Sequence, residues 1–316
     1  MQALLAAVRD AAKLCRLVQA NYLSAETKTA GDHSEPVTIA DYGSQAIICR
    51  ALQQYYPDDA VVAEESGAQF LQFVATDGRA QIRALLTQVL RQQVTETELV
   101  DWLDFGAGRS AARTWVIDPI DGTKGFLAQR HYAIACGQLL NGQVSGGIVA
   151  APGYNNGGGA LFYTREGAAF KASLAGGDGT RVTVSSRSEP EDIIAAQSFE
   201  RAHASKSRMA RARELAGLGH VRLLELDSME KYALVACGDA DLYMRLPREK
   251  SRYAHKIWDH AAGVALVQAA GGVATDLDGS ALDFSQGEAL PNPGMIVSNG
   301  ARHERVVEAV GQVMAE

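Results

Sequence analysis

The chain has 316 residues, 47% of them hydrophobic and 21% charged, which supplies core material for two domains or one large layered unit. A formal net charge of −7 excludes the broad positive field of a nonspecific nucleic-acid binder, and no run of about eighteen apolar residues marks a membrane span. Met1 to Asp10 carries no basic leader, so a cytoplasmic address is expected; Cys15, Cys49, Cys136 and Cys237 are far apart and read as buried free thiols rather than disulfides or a zinc site.

Leu4, Leu5, Val8, Ala11, Ala12, Cys15 and Val18 recur at helical spacing and predict a helix over residues 3 to about 25. The polar, Gly- and Pro-marked stretch from Lys28 to Pro36 predicts a loop, and Pro36 to Ala40 a short extended piece. Asp41 then reads as the N-cap of a second helix with Ala46, Ile47, Ile48 and Leu52 on its apolar face. Capping alone accounts for Asp41, but it also puts a carboxylate at a helix mouth, where it can accept a proton from water. A turn at Asp58-Asp59 leads into a short apolar strand that ends at Glu64 and Glu65. Neighbours on a strand face opposite ways, so only one of the two glutamates can face a shared interior site. Residues 68 to 104 predict helix with a polar break around Thr76-Asp77-Gly78.

The organising stretch runs from Trp115 to Phe126: an apolar strand end, a turn marked by Pro119 and Gly122, and the start of a helix. Asp118 and Asp121 sit on that turn. Ordinary turn chemistry explains Asp and Gly around a proline. If the two carboxylates converge, however, they need a compensating cation, and the Gly122 and Thr123 amides beside them form an anion-accepting helix start. Metal plus phosphate cradle is a phosphoryl-transfer site.

Beyond Phe126 the pattern is antiparallel: strands at Tyr132–Leu140, Val144–Ala150, Ala160–Tyr163 and Arg181–Ser185, a hairpin turn at Asn141-Gly142, and further turns at Asn155–Gly159 and Gly176–Gly179. From Ile193 onward strand-like runs alternate with helical ones, which places a domain boundary near residue 185 and gives domains of 1–185 and 186–316. Arg201, His203, Lys206, Arg208, Arg211 and Arg213 read mostly as an exposed basic helix. Ser228 and Lys231 share a helix face after a strand, Arg245 ends the next strand, and Lys256 to Gly272 predicts a helix with Asp259 in its first turn.

Asp41, Glu64, Asp118, Asp121 and Asp259, in that order, with D-P-I-D-G-T, E-E-S and W-D-x-A-A-G segments around them, resemble the signatures of the inositol monophosphatase superfamily across the whole chain. Pro36 to Gln45, Lys124-Gly125-Phe126, Tyr243 to Pro247 and Lys256 to Gly263 resemble its 3'(2'),5'-bisphosphate nucleotidase branch. The resemblance implies an α/β (α+β) fold, a layered αβαβα sandwich. It also implies a lithium-sensitive phosphatase of sulfur metabolism that removes the 3'-phosphate of adenosine 3',5'-bisphosphate, with the sulfonated nucleotide as a second candidate. By the same resemblance Glu64, Asp118, the Ile120 carbonyl, Asp121 and Asp259 would hold two or three Mg²⁺ ions. Asp41 and Thr123 would orient the attacking water, the Gly122 and Thr123 amides would receive phosphate, and His203, Ser228, Lys231 and Arg245 would hold the nucleotide. An inositol phosphatase or fructose bisphosphatase on the same scaffold is the nearest alternative, and a non-catalytic nucleotide or metal sensor a remote one. Ala63 and the loop from Lys28 to Glu35 depart from the family pattern.

Overall fold

A computed structural model describes residues 1–21, 25–30, 33–199, 204–248 and 254–316, with side chains for 1–20, 39–199, 204–248 and 254–316. Helix α1 (Gln2–Asn21), the hairpin β1 (Ala25–Ala30) and β2 (His33–Thr38), and helix α2 (Ile39–Tyr55) come first. Strand β3 (Ala60–Ala63) is followed by α3 (Gly67–Phe73), α4 (Thr76–Leu90) and α5 (Glu96–Leu103). Then come β4 (Arg113–Asp121), the short helix α6 (Thr123–Leu127), and the meander β5 (Ala133–Leu140), β6 (Gln143–Ala151), β7 (Ala160–Arg165), β8 (Ala168–Ser173) and β9 (Gly176–Val182). Strands β3 to β9 form a seven-stranded sheet in sequence order, parallel between β3 and β4 and antiparallel thereafter.

The rest of the chain contributes β10 (Ile194–Gln197), α7 (Lys206–Leu215), β11 (Arg222–Glu225), α8 (Glu230–Ala236), β12 (Leu242–Arg245) and β13 (His255–Lys256). After a 3-10 turn at Ile257–Asp259 follow α9 (Ala261–Ala269), β14 (Val273–Thr275), β15 (Ala289–Leu290), β16 (Met295–Ser298) and α10 (His303–Ala315). A five-stranded sheet of order β11-β10-β12-β16-β14 results, with β10, β11 and β12 parallel and β16 antiparallel to both its neighbours.

The period-two alternation of strand side chains divides the core into layers. On β4 and β5, Trp115, Ile117, Ile134 and Cys136 point to the face covered by α1 and α2. Val116, Ala133 and Ala135 point to the other face, against α8 and α9. The second sheet repeats the device: Tyr243 and Val297 join that middle layer, while Leu242, Met244 and Ile296 face α7 and α10. The stacking is therefore helix, sheet, helix, sheet, helix, as expected. The four thiols are free, with Cys15, Cys49 and Cys136 buried and Cys237 half-buried.

Two features fix how the layers meet. Asp59, just before β3, accepts from Arg113 Nε at 2.5 Å and from Trp115 Nε1 at 2.8 Å, clamping the starts of β3 and β4 together. At the middle layer α9 lies directly on β5 and β6 because the facing residues are small. A Cβ on Gly137 would stand 2.8 Å from Ala261 Cβ, and one on Gly147 would stand 2.9 Å from Ala262 Cα.

Some local expectations are corrected. Within the stretch expected to be a loop, Lys28 to Ala30 and His33 to Pro36 are instead paired strand, in a register that runs from Ala25↔Thr38 to Ala30↔His33, while Gly31 and Asp32 lie outside the described residues; the threonines and Val37 favour extended backbone. Gly176–Gly179 opens edge strand β9 instead of forming a turn, since β8, which the sequence pattern did not reveal, reverses tightly at Leu174-Ala175. Lys256 belongs to β13 and Asp259 to the 3-10 turn, so Asp259 precedes α9 and is not in its first turn. Asp41 is the third residue of α2, not its cap. The Asn141-Gly142 turn is as expected, with φ of 50° and 77°.

Gly147→Ala should destabilise the protein by about 1–3 kcal/mol, because the added methyl overpacks against helix backbone. Chemical denaturation would measure this, and a midpoint equal to wild type would show that α9 has room to move.

Candidate active site

Strand β4 carries Asp118 and Asp121 into the site by a break in its pairing. Asp118 pairs with Ala135 and Asp121 with Ala133, so a three-residue step on β4 is opposed by a two-residue step on β5. On a regular strand residues three apart face opposite sides; one extra residue reverses that parity and aims both carboxylates the same way. Pro119, which has no N–H to lose from the ladder, sits in the bulge. Ser44 Oγ of α2 supports it by donating to Pro119 O at 2.9 Å. Asp259 reaches the same locus from the 3-10 turn before α9, and Asp118, Asp121 and Asp259 each present an oxygen within 4.8 Å of the others.

That proximity shapes the charges. Burial, then Glu64, Asp121, Asp259 and Asp41, push the Asp118 carboxyl far above the usual carboxylate range. Burial and Asp259 push Asp121 up to about 7, while Lys231, the Met229 N–H and Arg245 pull it back. Asp118 Oδ1 is closed off from solvent and has no hydrogen-bond donor among the described residues. An all-oxygen donor set with a buried unpaired oxygen fits a hard divalent cation and disfavours zinc. The acidic cluster can hold a metal ion.

The second wall comes from the C-terminal sheet. Ser228 has a left-handed φ of 77°, and the turn around it directs the Met229 N–H onto Asp121 Oδ2. Its Cβ packs against Gly122, where φ is 91° and a side chain would stand only 3.2 Å away. Lys231 is buried, donates to Ser228 O at 2.6 Å and lies 5.4 Å from the Tyr243 ring centre. Burial draws its pKa down to about 8, against the opposing pull of Asp121 and Asp227. Arg245, also buried, acts on Asp121 from the end of β12. Behind them, burial keeps the His260 imidazole neutral, with Nδ1 2.8 Å from the Tyr232 hydroxyl.

A model of the inositol monophosphatase family matches residues 1–315. The chain belongs to the inositol monophosphatase family. Among curated relatives of this family member, a protein of Oryza sativa is 34% identical over 98% of this chain and 93% of its own length. One of Emericella nidulans is 33% identical over 90% of each chain, and one of Schizosaccharomyces pombe is 32% identical over 100% of this chain and 96% of its own. All three are named 3'(2'),5'-bisphosphate nucleotidase. Among solved structures, an IMPase of Thermotoga maritima has a TM-score of 0.68 at 23% identity, covering 98% of this chain and 96% of its own, and so shares the fold. Among the described residues no helix is long and apolar enough to cross a membrane.

Within this family member, the residues singled out from sequence are distributed as follows. Asp118, Asp121 and Asp259 meet. Glu64, half-buried at the end of β3, is the charge that acts most strongly on Asp118, although its oxygens are outside the close triad. Glu65 is turned away and buried, its main chain clipped to the Gln45 side-chain amide in both directions at 2.6 and 3.0 Å. Asp41 is buried behind Asp118, and Ile120 O accepts from Thr123 Oγ1 at 3.2 Å. Ser228, Lys231 and Arg245 line the opposite wall. His203 lies outside the described residues. The Met229 N–H, Tyr232 and Tyr243 were not found from sequence; the turn-forming Asp227-Ser228 after a strand was the available signal for the first.

The raised carboxyls predict a pH dependence. A carboxyl with a higher pKa folded than unfolded holds its proton more tightly in the fold, so its contribution is complete in acid and lost as pH rises through the folded value, about 7 for Asp121. Protein stripped of divalent ions should therefore lose melting temperature from just above the ordinary carboxyl value of 3.8 up to about pH 7, and added Mg²⁺ should restore it. In the stripped state Asp118→Asn should melt higher than wild type, by about 2–4 °C for each kcal/mol of repulsion removed. A lower melting point in that variant would mean that the carboxylates do not repel.

Proposed function

We propose that this chain is a Mg²⁺-dependent phosphatase that hydrolyses the 3'-phosphate of adenosine 3',5'-bisphosphate to AMP and phosphate. The observation that carries this reading is that an acidic triad able to hold metal faces two buried cations, Lys231 and Arg245. A simple monoester needs only the first; a substrate with a second, unreacting phosphate needs both. The names of the relatives in Oryza, Emericella and Schizosaccharomyces support the same substrate.

Asp118, Asp121 and Asp259, with Glu64 and the Ile120 carbonyl, would hold two or three Mg²⁺ ions. A divalent cation held there would supply Lewis-acid chemistry: charge neutralisation at the phosphoryl oxygens, a more acidic water and a stabilised leaving alkoxide. The Thr123 hydroxyl donates a hydrogen bond to Ile120 O, so its lone pairs are available to accept from the attacking water, and Asp41 is the carboxylate that orients that water with it. Gly122 and Thr123 receive the phosphate on their amides. Residues 1–185 thus carry most of the metal ligands, while residues 186–316 carry Ser228, Lys231 and Arg245, and also His203, for the nucleotide.

Phosphate release from adenosine 3',5'-bisphosphate, its sulfonated form, inositol 1-phosphate, inositol 1,4-bisphosphate and fructose 1,6-bisphosphate tests the reading; the first should have the highest kcat/KM. A preference for an inositol or fructose phosphate would overturn it. Asp118→Asn and Asp121→Asn should each lower Mg²⁺-dependent turnover by at least about 10²-fold while keeping the fold. Arg245→Ala should weaken the bisphosphate by about tenfold more than a monophosphate; equal losses would remove Arg245 from the second phosphate.

A further inference from the structure

Consecutive residues of the segment joining α6 to β5 make two contacts with the C-terminal half, one just beyond β10 and one on α8. The Arg130 guanidinium lies 4.8 Å from the ring centre of Phe199, just beyond β10. His131 Nδ1 lies 2.9 Å from Glu230 Oε2, at the first residue of α8. The Glu230 residue is only 2% exposed, so the contact is made by a carboxylate held inside the fold. Glu230 in turn, with Asp227 further off, holds the His131 pKa above the ordinary imidazole value despite partial burial.

The same segment is pinned from behind. The His131 carbonyl packs so closely on Gly125 that no side chain fits there, and it would stand 3.6 Å from a Cβ on Gly122. In front of it is the Ser228 turn, whose left-handed φ at a non-glycine must be held by its surroundings. Internal ties hold part of it: Glu230 N–H donates to Ser228 Oγ at 3.3 Å and Lys231 Nζ to Ser228 O at 2.6 Å. Ties leaving the turn run to Asp121, through the Met229 N–H, and to His131.

We propose that Arg130 and His131 form a clasp that sets the position of the Ser228–Lys231 arm relative to Asp121, making His131 a positioning residue for the bisphosphorylated nucleotide. The clasp deepens the function proposed above and, for its substrate effect, rests on it. Its geometry does not: loosening it frees the Met229 N–H whatever the substrate.

The test compares wild type, His131→Ala and His131→Asn, whose side-chain amide can still donate to Glu230. His131→Ala should raise KM for adenosine 3',5'-bisphosphate by about tenfold, the size of a lost hydrogen bond to a charged group. The fall in kcat should be smaller, and the loss with adenosine 3'-monophosphate several-fold less. His131→Asn should recover most of the KM. Amide hydrogen exchange at Met229, followed by NMR, should quicken in His131→Ala and return towards wild type in His131→Asn. Equal changes in KM and kcat, equal losses on both nucleotides, or no recovery with asparagine would overturn the clasp. If wild type hydrolyses neither nucleotide, the substrate reading fails and Met229 exchange alone decides the clasp. Should His131→Ala not fold, Arg130→Ala carries the same readouts.

Discussion

Mutual repulsion among carboxylates held close together in a buried place is the constraint on which this structure depends. Left alone, Asp118, Asp121 and Asp259 would separate or take up protons, and burial, with Asp259 beside it, pushes Asp121 up to about 7 in the sense of the second response. The fold prevents the first. A bulged strand, a 3-10 turn against a helix packed on glycines, and a turn ending in the Met229 N–H hold the three from different directions. Such an arrangement is unfavourable to the empty protein and favourable to whatever brings positive charge, as expected where function costs stability.

The second wall answers an acidic net charge of −7 with local positive charge. Lys231 and Arg245 are buried, so they act through a poorly screened medium and need not overcome the field of the whole surface. Aromatic rings and the neutral His260 surround them and supply shape without competing charge. Cations and anions here temper one another, as the opposed pulls on Asp121 and Lys231 show.

The layered architecture was legible through the family resemblance carried by the motifs, not through alternation, since both faces of these strands are apolar; in the structure Trp115 and Ile117 against Val116, and Leu242 and Met244 against Tyr243, sort by parity into separate layers. The order of the acidic residues was legible too, from motifs spread along the chain. What sequence could not supply was geometry that violates the regular period. Asp118 and Asp121 are three apart, which would diverge on a regular strand; Pro119 in the turn was the signal that they could point to one locus, and the β-bulge that brings this about was not legible. Between Glu64 and Glu65 strand parity allowed only one to face the site without saying which, and the Gln45 amide that grips the Glu65 main chain comes from α2, distant in sequence. The hairpin before α2 and the glycine-rich β9 were misread because Gly and Pro mark turns in general, while pairing partners decide each case.

The bond network at Asp59 has a consequence for a place it never touches. Strands β3 and β4 run in parallel from that point, and Ala63 opposite Ile117 leaves Glu64 alongside Asp118. A slip of one strand past the other by a single two-residue repeat would preserve the inward and outward faces yet part those acids by roughly 7 Å. Hydrophobic patterning is blind to such a slip. With Arg113 and Trp115 both fastened to Asp59, the ladder has one permitted alignment, and the vernier that sets the active-site spacing is read at its far end.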